Sequence, residues 1–352
     1  MNKKSLIILV PAFPGKESGS FMVPFIQQFL EAFSNNHKNV ELIIYSLFIP
    51  NGVPYVWKNI KVIPLNGRQS NFFSKLFLVI KSTLIIGREI RKAKVGGILS
   101  FWYNETALLG NILSFIYSKK HFTWLLGQDV KRTNPYMKYL RPNPNKLIAI
   151  SDFQNDYFFK EFGISAKTVN PIAVNPIFFP DLNTSLRKID ILGTGSLIPL
   201  KNYQLFLDAV LELRKTAANV KVVLIGNGPM ESQFKAFINQ NNLENNVSFT
   251  GLLSHKQTLN YMNNAKVFLH TSNFEGGGTV LHEALYSGCL VISTIPIIKD
   301  INAPFFHCET QEEIVFQLKL ALKNNEKFSR FSSVDIKQTN RVVYNLFFDN
   351  TF

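Results

Sequence analysis

Two glutamates eight positions apart, Glu275 and Glu283, enclose three consecutive glycines in the stretch HTSNFEGGGTVLHEAL, residues 270–285. Gly276, Gly277 and Gly278 carry no side chain over their main-chain amides, and a helix is predicted to open at Thr279 and Val280. Amides at a helix start, with the positive end of the dipole behind them, form a cradle for a phosphate or diphosphate. Carboxylates repel phosphate, so the two glutamates are expected to accept hydrogen bonds from hydroxyls, which a ribose and a sugar both offer. The plainer alternative is that Glu283 complements the helix dipole and the glycines form an ordinary loop.

Two further loops have a related character. ILGTGSLIPLKNYQLFLDAV, residues 191–210, reads as a strand, a glycine turn with Gly193, Gly195 and Ser196, and a helix whose first residues include Lys201 and Asn202. Glycine lets the backbone approach a ligand closely, and Lys201 adds a full positive charge at an anion-binding helix start. VLIGNGPM repeats the theme with Gly226, Asn227 and Gly228 after a strand and Pro229 at a predicted first helical position. Each of these turns is also common as plain structure. Departure of a diphosphate develops negative charge that a metal or fixed protein groups must stabilise. The chain contains no Asp-x-Asp, so no metal ligand is assigned, and Lys201 with the amides of 276–278 is the expected substitute. His270, His282 and His121 read as structural residues, whereas Asp129, just after the strand HFTWLLG, is a candidate for orienting an acceptor.

The elements that must position these residues alternate along the chain. Short apolar runs such as SLIILV, VELIIYSL, KLIAIS, KVVLIG and KVFLHTS are separated by amphipathic stretches of helical length, including 201–216, 229–241 and 254–265. Continuous apolar strands between helices predict an α/β fold with parallel sheets covered on both faces, and ligands beyond the carboxyl ends of the strands. Length argues for two doubly wound domains, and the Pro- and Asn-rich stretch 170–188 is the expected linker. The last amphipathic segment, 336–352, either closes the second domain or crosses back to the first.

The 46% apolar content suits a globular protein, and Cys289 and Cys308 show neither metal spacing nor a disulfide framework. The opening apolar run ends at Pro11 and reads as a first buried strand, not a signal peptide. No stretch reaches the roughly 18 apolar residues of a membrane span. Residues 1–180 hold 22 Lys and Arg against 9 Asp and Glu, whereas residues 181–352 hold 16 against 15. That asymmetry reads either as a field that attracts an anionic partner or as an ordinary solvated, lysine-rich surface. FFSKLFLVIKSTLIIGREIRKAK, residues 72–94, places Lys75, Lys81, Arg88, Arg91, Lys92 and Lys94 among aromatic and aliphatic positions. It reads either as a basic amphipathic helix for an anionic membrane surface or as a core helix with a basic outer edge. Nucleic acid is not an expected partner, because no reader motif is present.

Residues 187–325 resemble the nucleotide-sugar-binding domain of retaining GT-B glycosyltransferases of family 4, the glycosyl transferases group 1 family. GSLIPLKN, GNGP, the Glu275/Glu283 pair and the SGCLVIS that follows carry the resemblance. PAFPG, WLLGQDVK and AISDFQNDYF extend it into the first half. The resemblance implies a GT-B architecture of two Rossmann-like domains facing a cleft. Residues 1–180 plus a crossing helix at about 336–352 would form the acceptor domain, and 185–330 the donor domain. It implies that Glu275 and the loop amides face the donor sugar, Glu283 the ribose and Lys201 the diphosphate. Ser196 stands where many members carry arginine, PIAVN replaces the usual linker PNGVD, and Gly15 or Gly19 must serve for the usual N-terminal glycine pair.

The expected activity is metal-independent transfer, with retention, of a sugar from a UDP- or GDP-sugar to a glycan, lipid-linked or small acceptor. The donor is a co-substrate, and no further cofactor is expected. The expected location is the cytoplasm, including the inner face of the membrane. A non-catalytic subunit supporting a partner transferase and a sugar-nucleotide epimerase of the same architecture are the alternatives; turnover without an acceptor distinguishes the epimerase.

Overall fold

Along the first strand, β1 (Lys4–Val10), Leu6, Ile8 and Val10 enter one core while Ile7 and Leu9 enter another. Side chains of a strand alternate between faces, so a run that is apolar throughout must be buried on both. The computed structural model describes residues 3–14, 22–49, 51–68, 71–323 and 329–349. They fall into two units, Met1–Ala173 with Val334–Phe352 and Val174–Ser333. Gly15 and Gly19 lie outside the described residues.

The first unit continues with α1 (Pro24–Asn36), β2 (Val40–Ser46), β3 (Tyr55–Trp57), β4 (Ile60–Pro64), α2 (Phe72–Lys92) and β5 (Val95–Phe101). After these come α3 (Glu105–Tyr117), β6 (Lys120–Leu125), α4 (Pro135–Leu140), β7 (Leu147–Ala149), α5 (Asp152–Phe162) and β8 (Thr168–Val169). The sheet order is β3-β4-β2-β1-β5-β6-β7-β8, parallel except for β3 against β4. Helices α2 and α3 cover one face, with Leu78, Ile86, Leu109 and Leu113 in its core.

The second unit contains β9 (Ile189–Thr194), α6 (Tyr203–Arg214), β10 (Val222–Ile225), α7 (Glu231–Gln240), β11 (Val247–Gly251), α8 (His255–Met262) and β12 (Ala265–His270). It ends with α9 (Thr279–Tyr286), β13 (Leu290–Ser293), β14 (Phe305–His307) and α10 (Gln311–Lys323). Its strands are all parallel in the order β11-β10-β9-β12-β13-β14. The order reverses between β9 and β12, the place where such sheets open a crevice for a ligand. Arg187, buried at the entry to this unit, donates to the carbonyls of Ala265 at 2.7 Å and Ser287 at 2.8 Å.

The final helix, α11 (Ile336–Phe348), is capped by Asp335, whose carboxylate accepts from Lys337 N at 2.8 Å. It packs in the first unit: Val343 and Phe347 join the core of Ile26, Phe29 and Phe33. Gly96 and Gly97 make room for it, since a Cβ at Gly97 would lie 2.3 Å from the Phe347 ring and one at Gly96 2.3 Å from the Phe348 ring. Burying one such ring contributes roughly 2–3 kcal/mol.

Candidate functional site

Three loops at the carboxyl ends of β9, β10 and β12 meet at the reversal of the second sheet. Two glycines of the loop after β10 are required by contact. A Cβ at Gly226 would lie 1.9 Å from the Gly195 carbonyl oxygen, and one at Gly228 2.5 Å from that of Leu197. The two loops are laced together, with Gly195 N donating to Ile225 O at 2.9 Å and Leu197 N to Asn227 O at 2.9 Å. Ser196 is left exposed beside them.

Lys201 and Asn202, expected in the first turn of a helix, precede it instead. Lys201 closes a 3₁₀ turn and Asn202 takes a left-handed conformation, φ 47 and ψ 47, so α6 starts at Tyr203. Asparagine tolerates that region because its short amide bonds locally. The offset binds this turn to the loop after β12: Asn273 N donates to Leu200 O at 2.8 Å, Thr271 Oγ1 to Lys201 O at 3.1 Å, and Asn202 Nδ2 to Asn273 Oδ1 at 3.2 Å. Pro229 likewise lies before its helix, which opens at Glu231.

These bonds bring the Lys201 ammonium onto Glu275 Oε1 as a direct ion pair. The same oxygen faces His270 Nε2 at 3.1 Å and Ser272 Oγ at 3.2 Å. Burial works against a charge on Glu275, but the hydrogen bond from His270 and the charge of Lys201 outweigh it and hold the carboxyl at about 2. Burial lowers the pKa of His270 against the opposite pull of Glu275, so its ring is neutral near pH 7. A carboxylate only accepts, so Nε2 carries the proton, and Nδ1 faces the Ser293 hydroxyl at 3.0 Å.

The glycine loop then turns into α9 through Gly278, which is left-handed at φ 53. Leu281 N donates to Gly278 O at 2.8 Å, so the amides of Thr279 and Val280 precede the first intrahelical bond and belong to the anion-attracting end of the helix. One turn on, Glu283 is buried with Oε1 2.8 Å from His255 Nε2. His255 opens α8, where Ser254 and Gln257 form a reciprocal capping box. That Ser-x-x-Gln pattern marks the helix start in the sequence, but nothing local shows that His255 reaches a glutamate 28 residues later. Ser272, Ser293 and His255 are the polar contacts that sequence reasoning missed. His282 turns to Ser333, with Nδ1 3.1 Å from its hydroxyl.

Asp129 belongs to the first unit, and its carboxylate holds a loop together. It accepts from Gly127 N at 2.7 Å, Tyr103 N at 3.0 Å and Leu126 N at 3.3 Å. Burial raises its pKa against the pull of these amides. His121 is a buried residue bonded to Ser100 at 2.9 Å and Asn111 at 3.0 Å. Among the described residues no group of three His, Cys, Asp or Glu could hold a metal ion.

Two doubly wound sheets, the second all-parallel with this loop cluster at its switch point, give the chain a GT-B fold. Residues 175–337 match the family described as glycosyl transferases group 1. The chain is 31% identical over 165 residues to the 2-deoxystreptamine N-acetyl-D-glucosaminyltransferase of Niallia circulans, covering 47% of this chain and 39% of that protein. It is 27% identical over 200 residues to a Campylobacter jejuni enzyme, covering 54% of this chain and 52% of that protein. The latter is named N-acetylgalactosamine-N,N'-diacetylbacillosaminyl-diphospho-undecaprenol 4-alpha-N-acetylgalactosaminyltransferase. The chain thus spans about half or less of these relatives. The sucrose-phosphate synthase of Thermosynechococcus elongatus shares the fold, with a TM-score of 0.72 at 14% identity over 98% of this chain and 95% of that one.

Proposed function

We propose that this chain transfers a sugar from a nucleoside diphosphate sugar to a glycan or lipid-linked acceptor. The observation that carries this is the Lys201–Glu275 pair, set beside the Gly276–Gly278 loop at the strand-order reversal. Lys201 has two further N–H groups to turn toward a diphosphate, and the amides of 276–280 with the dipole of α9 complete an anion site. Glu275 and Glu283 then accept hydroxyls of the sugar and the ribose. Gly195, Ser196, Asn202, Gly226, Asn227 and Gly228 form the surrounding backbone. Asp129 shapes a first-unit loop that helps orient the acceptor.

The proposed step proceeds with retention. The C1–O bond to the diphosphate breaks, the acceptor oxygen bonds to C1 from the same face, and the acceptor proton passes to the departing diphosphate oxygen. Fixed positive groups balance the charge on the leaving diphosphate without a metal. The names of both relatives contain an N-acetylhexosaminyl group, so UDP- and GDP-linked N-acetylhexosamines are the first donors to try. A lipid-linked acceptor would place the reaction at the cytoplasmic face of a membrane.

A thermal-shift panel of UDP-, GDP-, ADP- and TDP-sugars, with and without EDTA, tests the donor site, since a ligand of the native state raises apparent stability. Stabilisation by one nucleotide family, indifferent to EDTA and weakened in Glu283→Ala, is the expected result. Silence across the panel for folded protein would sink the proposal.

A further inference from the structure

The face of the first sheet that α2 and α3 cover is apolar at its centre, where Ile7 and Ile98 meet Ile86, Leu109 and Leu113. Toward β6 the same face turns polar. The parallel ladder pairs Ile98 with His121 and Ser100 with Thr123, so Ser100, His121 and Thr123 share that face, and none is more than 2% exposed. A buried polar cluster on a covered strand face is an exception that must find hydrogen bonds for every group. His121 supplies them. Its Nε2 faces Ser100 Oγ at 2.9 Å and Thr123 Oγ1 at 3.4 Å, and its Nδ1 faces Asn111 Oδ1 of α3 at 3.0 Å. Burial, with the charge of Lys146 adding to it, lowers the imidazole to about 3, so the ring is neutral and carries one proton. An amide oxygen only accepts, so that proton is on Nδ1, and Asn111 keeps its Nδ2 group for other partners.

Asn111 and Thr123 line a cavity of about 620 Å³ between α3 and the segment 140–147 that leads from α4 into β7. Its volume is that of a small-molecule site. Arg141 and Lys146, both exposed, also line it, and no Asp or Glu does. Phe115, in the last turn of α3, adds an aromatic ring that is 87% exposed. The cavity therefore combines an uncompensated positive charge, an amide donor fixed from behind by a buried histidine, and an aromatic surface.

We propose that this cavity binds an anionic sugar, a hexuronate or a hexose phosphate, at a second ligand site apart from the donor loops. The carboxylate or phosphate meets Arg141 and Lys146 through charge-assisted hydrogen bonds. A ring hydroxyl accepts from Asn111 Nδ2, and the C–H face of the sugar lies on the Phe115 ring, whose face is the negative side of its quadrupole. No residue of the second unit lines the cavity, so this site stands or falls independently of the proposed transfer.

The test is calorimetric titration of the full chain with glucuronate, galacturonate and glucose 6-phosphate, against glucose and inorganic phosphate. At least one anionic sugar should saturate a single site about tenfold or more tighter than either control, and the one that does so names the anion. The variant Arg141→Gln/Lys146→Gln should lose about tenfold or more of that affinity with unchanged Tm, and Phe115→Ser about threefold. Glu283→Ala should bind the sugar like wild type. Absence of saturable binding by all three sugars, or full binding by the double glutamine variant, overturns the proposal. Equal affinity for inorganic phosphate would remove the sugar from it, and loss of binding in Glu283→Ala would move the ligand to the donor loops; either result overturns it as well.

Discussion

In the second unit Lys201, Glu275 and His270 converge within hydrogen-bond distance beneath a glycine loop, and Glu283 is buried against His255. In the first unit the cations Lys81, Arg88 and Lys92 stand in solvent beside exposed Phe77 and Leu84. The segment 1–180 carries 22 Lys and Arg against 9 Asp and Glu, and 181–352 carries 16 against 15. The contrast lies in placement as much as number. A charge pair removed from water interacts strongly over a few ångströms and selects one small ligand, whereas exposed charges are screened within about 10 Å and act as a diffuse field. One unit concentrates its charges at a single buried point, and the other spreads them over an exposed surface.

Four measurements test this contrast. The largest effect is expected at the inward cluster: Lys201→Ala should lower kcat/KM for sugar transfer about 100- to 1000-fold, the scale of losing one group that stabilises developing charge. Its thermal unfolding should stay close to wild type; an equal fall in both would reduce Lys201 to a structural role.

Next come the glycines. Gly226→Ala must displace the Gly195 backbone oxygen, 1.9 Å from the added Cβ, from a residue at φ 138, and should cost about 3 kcal/mol or more in denaturant unfolding. Gly97→Ala in the first unit meets the Phe347 ring at 2.3 Å, which can move, and about 1–2 kcal/mol is expected. Equal costs would contradict the idea that the site loops are the more tightly constrained backbone.

His255→Ala should weaken nucleoside diphosphate binding about tenfold, by freeing the Glu283 carboxylate that His255 holds at 2.8 Å. The loss should vanish for an analogue lacking the ribose hydroxyls, when both are titrated by calorimetry. A loss of the same size for both ligands would mean that His255 acts on the fold and not on the ribose.

The smallest effect is on pH. Burial lowers His121 to about 3, while the unfolded imidazole takes its proton near 6.5. Below pH 6.5 the unfolded state therefore binds more protons, and stability falls by about 1 kcal/mol per pH unit for this histidine until the native pKa is reached. His270, also lowered by burial, contributes in the same direction. Differential scanning calorimetry of wild type and His121→Asn between pH 7 and 5 should show a shallower acid slope in the variant.

Much of the architecture was legible because it rests on local pattern. The run LIILV, residues 6–10, is apolar at every position, as a strand covered on both faces requires, and the amphipathic stretch 254–265 contains α8. The glycine loop before Thr279 was legible for the same reason. Legibility failed where one residue resets a boundary: the left-handed turn at Asn202 puts Lys201 before α6 and not inside it. At α2 the pattern leaves two readings open, a basic helix on a membrane surface or a core helix with a basic outer edge, and the structure packs Leu78, Val79, Ile86 and Ile90 into the core while Leu76, Phe77, Ile80 and Leu84 stay exposed.

The alternation of strands and helices, the glycine turns and the Glu275/Glu283 spacing follow from neighbours within a few residues, and the uneven charge follows from composition alone. Long-range packing pairs Lys201 with Glu275 across 74 positions, brings His255 to Glu283, and seats α11 on Gly96 and Gly97. Such contacts arise when parallel strands with crossover helices bring distant loops to one edge of a sheet. Their partners are set by strand order and packing, which no local window of the chain contains.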